Sequence, residues 1–185
     1  MSPARKSIRI MDAEHVARSI HRIAYEILEK NGDLRNVALV GIRSRGVPLA
    51  RRLAARLAEI GDQAVPTGEL DINLYRDDLS RIAYHPVLKR TEIPFEIDDK
   101  VVVLVDDVLF TGRTIRSALD ALMDLGRPSW VQLAVLVDRG HRELPIRADY
   151  IGKNTATSKK QRVDVLLQEP DGRDEVLLSD GEGKE

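Results

Sequence analysis

Short, wholly apolar runs alternate along the chain with longer segments whose apolar residues recur every three or four positions. The first periodic segment opens at Asp12-Ala13-Glu14-His15 and places Val16, Ile20, Ile23, Ala24, Ile27 and Leu28 on one face. An acidic N-cap starts such a helix and Asn31-Gly32 ends it. Val37–Ile42 is continuously apolar and ends at a Gly-bearing turn, the pattern of a strand buried on both faces. A second helix is expected over Val47–Ile60, stopped by Gly61. Glu69–Tyr75 alternates, with Leu70, Ile72 and Leu74 on one side, and reads as a strand. Arg76–Ile97 is polar, holds Pro86 and Pro94, and keeps no period; a loop of that length inside a compact domain suggests a lid. Lys100–Val105 is the clearest strand, followed by a helix over Thr114–Leu125 and a strand over Val131–Val137. Strands alternating with amphipathic helices predict an α/β fold: a mainly parallel central sheet flanked by helices.

At 185 residues the chain suits a single domain, 1–185, with a core of useful size. Charged residues make up 32% and hydrophobic residues 43%, which excludes a disordered chain. There is no cysteine, so disulfides and thiolate metal sites are excluded and a reducing, cytoplasmic setting is expected. No apolar run approaches the ~20 residues needed to span a bilayer, so no membrane partner is expected. The net charge of −1 hides a segregation. Arg139, Arg142, Arg147, Lys153, Lys159, Lys160 and Arg162 face only Glu143 and Asp149 within their stretch. Beyond it an acidic tail, about 170–185, follows, and the last dozen residues are expected to fray. Such segregation suits an anionic partner, though solvated loops explain it equally simply. His15, His21, His85 and His141 are scattered without metal-ligand spacing.

The chemistry concentrates where the strongest strand ends: Val105-Asp106-Asp107-Val108-Leu109-Phe110-Thr111-Gly112-Arg113-Thr114. This is neither a Walker loop nor a dinucleotide turn. Two carboxylates on a strand end accept hydrogen bonds from vicinal sugar hydroxyls. The turn Thr111–Thr114 then offers backbone N–H groups, two hydroxyls and the positive end of a helix, which together hold a phosphate. Acid then phosphate site, about one sugar apart, is what a ribose 5-phosphate needs. An ordinary Asp-Asp cap does not require Thr-Gly-Arg-Thr after it.

These ten residues resemble the 5-phosphoribosyl-1-pyrophosphate (PRPP) signature of type I phosphoribosyltransferases. Gly41–Gly46, with Ser44 and Arg45, is similar to that superfamily's pyrophosphate loop. The segment 76–97, with Arg76, Arg81, Lys89 and Arg90, resembles the flexible loop closing over PRPP. The resemblance sharpens at Gly68-Glu69-Leu70-Asp71-Ile72-Asn73-Leu74-Tyr75-Arg76-Asp77-Asp78-Leu79 and at Leu136–Asn154, which look like hallmarks of the PyrR family of bacterial pyrimidine regulators. With the PRPP signature and Val40–Gly46, it spans most of Asp12–Val165.

The resemblance implies a type I phosphoribosyltransferase fold with a smaller hood region, and two activities. One converts uracil and PRPP to UMP and pyrophosphate, with magnesium entering on PRPP and no dedicated protein metal site. Asp106 and Asp107 would hold the ribose end, Leu109–Thr114 the 5-phosphate, Ser44, Arg45, Lys89 and Arg90 the pyrophosphate side, and Arg139 and Val163 the base. The other is binding of pyrimidine-operon leader mRNA, promoted by UMP or UTP and favouring transcription attenuation. Its residues would be His21, Arg22, Tyr25, Arg142, Arg147 and Lys153. The chain departs from the family at His21 and Tyr25, where Thr and His are common, and at Phe110, where Tyr is usual. A homodimer or larger homo-oligomer is implied. Two alternatives stay open: a plain nucleobase-salvage transferase without RNA binding, and a nucleotide sensor that lost turnover.

Overall fold

The computed structural model describes residues 7–75 and 91–181. Eight strands and four helices follow in the order β1 (Ser7–Met11), α1 (Ala13–Asn31), β2 (Val37–Ile42), α2 (Gly46–Gly61), β3 (Thr67–Leu70), β4 (Val101–Leu109), α3 (Arg113–Met123), β5 (Trp130–Asp138), β6 (Tyr150–Asn154), β7 (Gln161–Leu166), α4 (Gln168–Asp171) and β8 (Glu175–Asp180). The central sheet is wholly parallel, in the order β3-β2-β4-β5-β6. β2 and β4 are its middle, which explains their unbroken apolar runs: Val102, Val103 and Leu104 are wholly buried. Their side chains divide alternately between two cores. One lies under α1 and α2 and contains Val16, Ile20, Leu53, Val103 and Val105. The other lies under α3 and contains Ile42, Leu104, Ile115 and Leu122.

The cap expected for α1 is present: the Asp12 side chain accepts from the His15 N–H at 2.9 Å. The strand expected over 69–75 is corrected. β3 ends at Leu70, because the Asp71 carboxylate accepts the Asn73 N–H at 3.0 Å and turns the chain into a 3-10 turn at Asn73–Tyr75. Ile72 is buried nonetheless. β4 runs four residues further than expected, through both aspartates to Leu109, and α3 stops at Met123, short of Leu125.

A second, antiparallel sheet of order β1-β8-β7 forms the hood. Of the last dozen residues, expected to fray, 182–185 lie outside the described residues, and for the rest the expectation is overturned. Glu175–Asp180 is the middle strand of this sheet, paired on both sides, with Val176 fully buried. The acidic residues before it are tied down as well: Arg52 on α2 makes two-point contacts with Glu169 (2.8 and 2.5 Å) and Asp174 (2.9 and 2.8 Å). The first and last described strands thus meet on one sheet, which no local pattern announces. Of the expected lid over 76–97, residues 76–90 lie outside the described residues. The remainder is fastened to β3, through a bridge between Glu69 and Glu92 and a bond from the Asp71 N–H to Thr91 Oγ1 at 3.1 Å.

Candidate active site and nucleic-acid face

In an open parallel sheet the usable crevice lies outside the carboxyl ends of the strands, where successive connections depart in opposite directions. Here the connection from β2 leads to β3 on one side, and β4 takes the other, so the crevice opens between the ends of β2 and β4. The turn after β2 is pressed directly on β4. A Cβ on Gly46 would stand 2.2 Å from the Val105 carbonyl oxygen and 3.3 Å from Asp106 Cα. Only glycine permits that approach. It brings the Arg43–Gly46 turn beside the aspartate pair. The Arg43–Ser44 peptide in this turn is cis. Ser44 is exposed and borders a cavity of about 350 Å³ with Arg43, Arg51 and Glu169.

Asp106 is buried and Asp107 half-buried at the end of β4. Burial pushes the Asp106 carboxyl well above the usual carboxylate range, and the charge of Asp107 pushes the same way. Asp107 is raised too, again by burial, with the Val108 N–H (2.8 Å) and the nearby Arg45 charge opposing the rise. Uneven environments of this kind give two adjacent acids different protonation behaviour. Val108 and Leu109 complete the strand. Phe110 and Thr111 turn the chain, and Gly112, at φ +93°, caps α3 without any side-chain cap bond. The Arg113 N–H donates to Thr111 Oγ1 at 3.3 Å, and Thr111, Arg113 and Thr114 lie at this helix start, where an anion would meet the other N–H groups of the first turn.

The loop after β5 folds over that turn. The Glu143 N–H donates to the Thr111 carbonyl at 2.9 Å, Arg142 Nη1 to the Phe110 carbonyl at 2.8 Å, and Arg113 Nε to Glu143 at 2.6 Å. Arg139 is buried, its guanidinium 3.9 Å above the centre of the Phe110 ring. Its Nη2 donates to the Ser158 carbonyl at 2.9 Å, and burial lowers its pKa. With Asp138, His141, Asn154, Thr155 and Thr157 it lines an open cavity of about 490 Å³. The Thr155 hydroxyl in that wall is buried and without a partner among the described residues. Sequence reading missed Thr155 and Thr157, because an unremarkable Thr-Ala-Thr carries no signal until β6 delivers it beside β5. Val163 is buried on β7, in the core that also holds Val105 and residues of α1 and α2. Lys89 and Arg90 lie outside the described residues.

The residues expected at an RNA face divide. His21 and Tyr25 pack edge to face on α1, ring centres 4.9 Å apart, with Tyr25 exposed. Arg22 between them reaches β6, where its Nη2 donates to the Gly152 carbonyl at 2.6 Å and both terminal nitrogens to the Ile151 carbonyl at 3.1 Å. Lys153 is exposed on the same strand and Arg147 just before it. Arg142, by contrast, is spent inside the loop after β5, on Asp138 and on the carbonyls of Phe110 and Ile146. Among the described residues no group of three acidic, His or Cys side chains converges as a metal site would, and no helix is long and apolar enough to cross a membrane.

Residues 8–170 match the family model of the phosphoribosyl transferase domain. The chain is 59% identical over 175 residues to the bifunctional protein PyrR of Pelotomaculum thermopropionicum, covering 95% of this chain and 97% of that one. It is 57% identical over 173 residues to the bifunctional protein PyrR of Deinococcus radiodurans, covering 94% of each. Among solved structures, a hypoxanthine-guanine phosphoribosyltransferase of Bacillus anthracis superposes with a TM-score of 0.71 at 16% identity, over 95% of this chain and 99% of that one. A hypoxanthine phosphoribosyltransferase of Trypanosoma cruzi gives 0.70 at 17%, over 94% and 97%. At such identities these neighbours establish the fold, type I phosphoribosyltransferase, and nothing about the base. The family model over residues 8–170 and the whole-length kinship to the PyrR proteins agree, and the chain belongs to the PyrR family of the phosphoribosyl transferase superfamily.

Proposed function

We propose that the chain transfers ribose 5-phosphate from PRPP to uracil, giving UMP and pyrophosphate. We further propose that, with UMP or UTP in the same pocket, it binds pyrimidine-operon leader mRNA to promote transcription attenuation. The observation that carries the first half is the placement of the Arg43–Gly46 turn, the Asp106-Asp107 pair and the Thr111–Thr114 turn around one crevice. That spacing suits the pyrophosphate, the ribose hydroxyls and the 5-phosphate of one PRPP molecule. Magnesium bound to PRPP supplies charge neutralisation on the diphosphate. The protein's own residues position and shield. Asp106 and Asp107 hold the sugar, Ser44 and Arg45 receive the departing pyrophosphate, and α3 fixes the phosphate end. Arg139, held by Phe110 and Ser158, meets the base. Asp107, the more accessible acid, takes the base proton as the new bond forms. No covalent nucleophile is needed for substitution at a cation-like sugar.

The second half rests on family membership and on the α1–β6 face, where His21 and Tyr25 offer ring surfaces beside Arg22 and Lys153. Unpaired RNA bases stack on such rings while cations meet phosphates. A homodimer would place two such faces together.

The test is binding of the purified protein to its own operon leader over a salt series, with and without UMP. Binding that strengthens with UMP and weakens with salt supports the reading. Binding that ignores UMP and is matched by scrambled RNA leaves only the transferase. Formation of UMP from uracil and PRPP, assayed alongside, decides that half separately.

A further inference from the structure

Arg45 is at once the residue proposed to receive pyrophosphate and the partner of a carboxylate in the hood. Its Nη2 lies 3.0 Å from Asp171 Oδ1. Among the described residues Asp171 is the guanidinium's sole partner, and Arg45 Nε is buried with none. Arg45 also stands close enough to Asp107 to act on its charge.

Asp171 is not a mobile surface acid. Its Oδ2 accepts the Leu167 N–H at 2.9 Å, and its own N–H donates to the Leu167 carbonyl at 2.8 Å. The carboxylate is therefore locked across α4, with one oxygen turned inward to the loop and the other toward Arg45. The loop in turn is clamped to α2 by the Arg52 contacts with Glu169 and Asp174. A rigid acid on a rigid loop sets where one end of the Arg45 side chain sits. An arginine presents five N–H donors in a planar fork. Fixing Nη2 leaves the remaining donors pre-oriented instead of freely rotating.

We propose that Asp171 is a positioning residue for the pyrophosphate site: it holds Arg45 by Nη2 so that the remaining terminal N–H donors of the same guanidinium face the diphosphate. The inference rests on the pyrophosphate role given to Arg45 above, and it ties the hood to the chemistry at the end of β2. A preorganised donor binds more tightly because its ordering is complete before the ligand arrives.

The experiment is calorimetric titration of magnesium pyrophosphate into the wild-type protein, Asp171→Ala, Arg45→Ala and the double variant. Uracil turnover is measured on the same samples, and thermal unfolding confirms that each is folded. We expect Asp171→Ala to bind pyrophosphate about five- to tenfold more weakly and Arg45→Ala at least as weakly. The double variant should equal Arg45→Ala, since the acid acts only through the arginine. Wild-type-like or tighter binding by Asp171→Ala overturns the proposal, as does a double variant weaker by the full product of the two factors. If Asp171→Ala does not fold, Asp171→Asn is read instead. Its amide oxygen keeps the Leu167 bond while its NH2 group takes the place of the oxygen that accepted from Arg45, so at least threefold weaker binding supports the proposal where unchanged binding overturns it. A wild-type protein that binds pyrophosphate but does not convert uracil would sink the proposed transfer activity without touching this inference.

Discussion

Burial beside a second acid gives Asp106 a pH dependence opposite to that of Asp12, Glu169 and Asp174, whose values are lowered. Its folded-state pKa is raised, so its proton is held more tightly in the fold than in the open chain. That contribution to stability is present below the ordinary carboxylate value and is lost as pH rises through the raised one. At neutral pH the ionised Asp106 carboxylate therefore costs the fold stability. Asp106→Asn keeps the side-chain oxygen that accepts the Asp107 N–H at 2.9 Å while removing the charge. We expect it to lower UMP formation by about 100-fold or more. The same variant should raise stability at pH 7–8 by about 1 kcal/mol. The gain should shrink as the pH is lowered toward 4. Turnover and denaturant titrations across pH check both, and unchanged turnover would remove Asp106 from the site.

Among the elements, two junctions decide the geometry. The contact of the β2–α2 turn with β4 has no room for a methyl group, so Gly46→Ala should cost about 3 kcal/mol or more, or abolish folding. Circular dichroism melts are the check. The second junction joins the hood to α2 through Arg52. The Arg52 guanidinium holds Glu169 below its ordinary value. Burial pushes Asp174 up, but Arg52 and the Gln168 N–H outweigh it and leave it lowered. Lowered carboxylates contribute stability above their unfolded values and lose it as pH falls through their folded ones. Arg52→Ala should thus cost about 2 kcal/mol at pH 7, discounted because Glu169 is half exposed. The deficit should close as the pH falls below the ordinary carboxylate range and through the lowered folded-state values, where the wild-type protein loses the same contribution. A deficit independent of pH would mean the arginine acts by packing alone.

Over the whole molecule, the crevice and the α1–β6 face are different surfaces that share one strand. β6 carries Lys153 outward and then leads into Asn154–Thr157 in the wall of the cavity beneath Arg139. Arg147→Ala should therefore weaken leader-RNA binding and reduce its salt slope by about one, with turnover intact. Arg142→Ala should behave differently. Its guanidinium holds the loop after β5 against the Phe110–Thr114 turn, so turnover should fall together with RNA binding. Filter binding and turnover on both variants check the contrast. If Arg142→Ala lost RNA binding alone, the residue would belong to the RNA face and not to the loop.

What the sequence determined by itself was local. Apolar period placed β2, β4, β5 and three helices, and Asp-Asp followed by Thr-Gly-Arg-Thr marked the turn from β4 into α3 as the candidate site, because strand, carboxylates and helix start are contiguous. Glu69–Tyr75 misled because a single Asp71 side chain ended the strand that the alternation suggested. The rest depended on distance in the chain. The hood pairs residues 7–11 with 175–180 through a sheet whose strands are short and half-polar, so the acidic tail looked like solvated coil. Arg142 looked like any surface cation in a basic stretch, and Asp171 like any tail acid. Only the tertiary structure put one against the Phe110 carbonyl and the other against Arg45. A side chain's charge is written in the sequence; the partner it meets is set by how the sheets close.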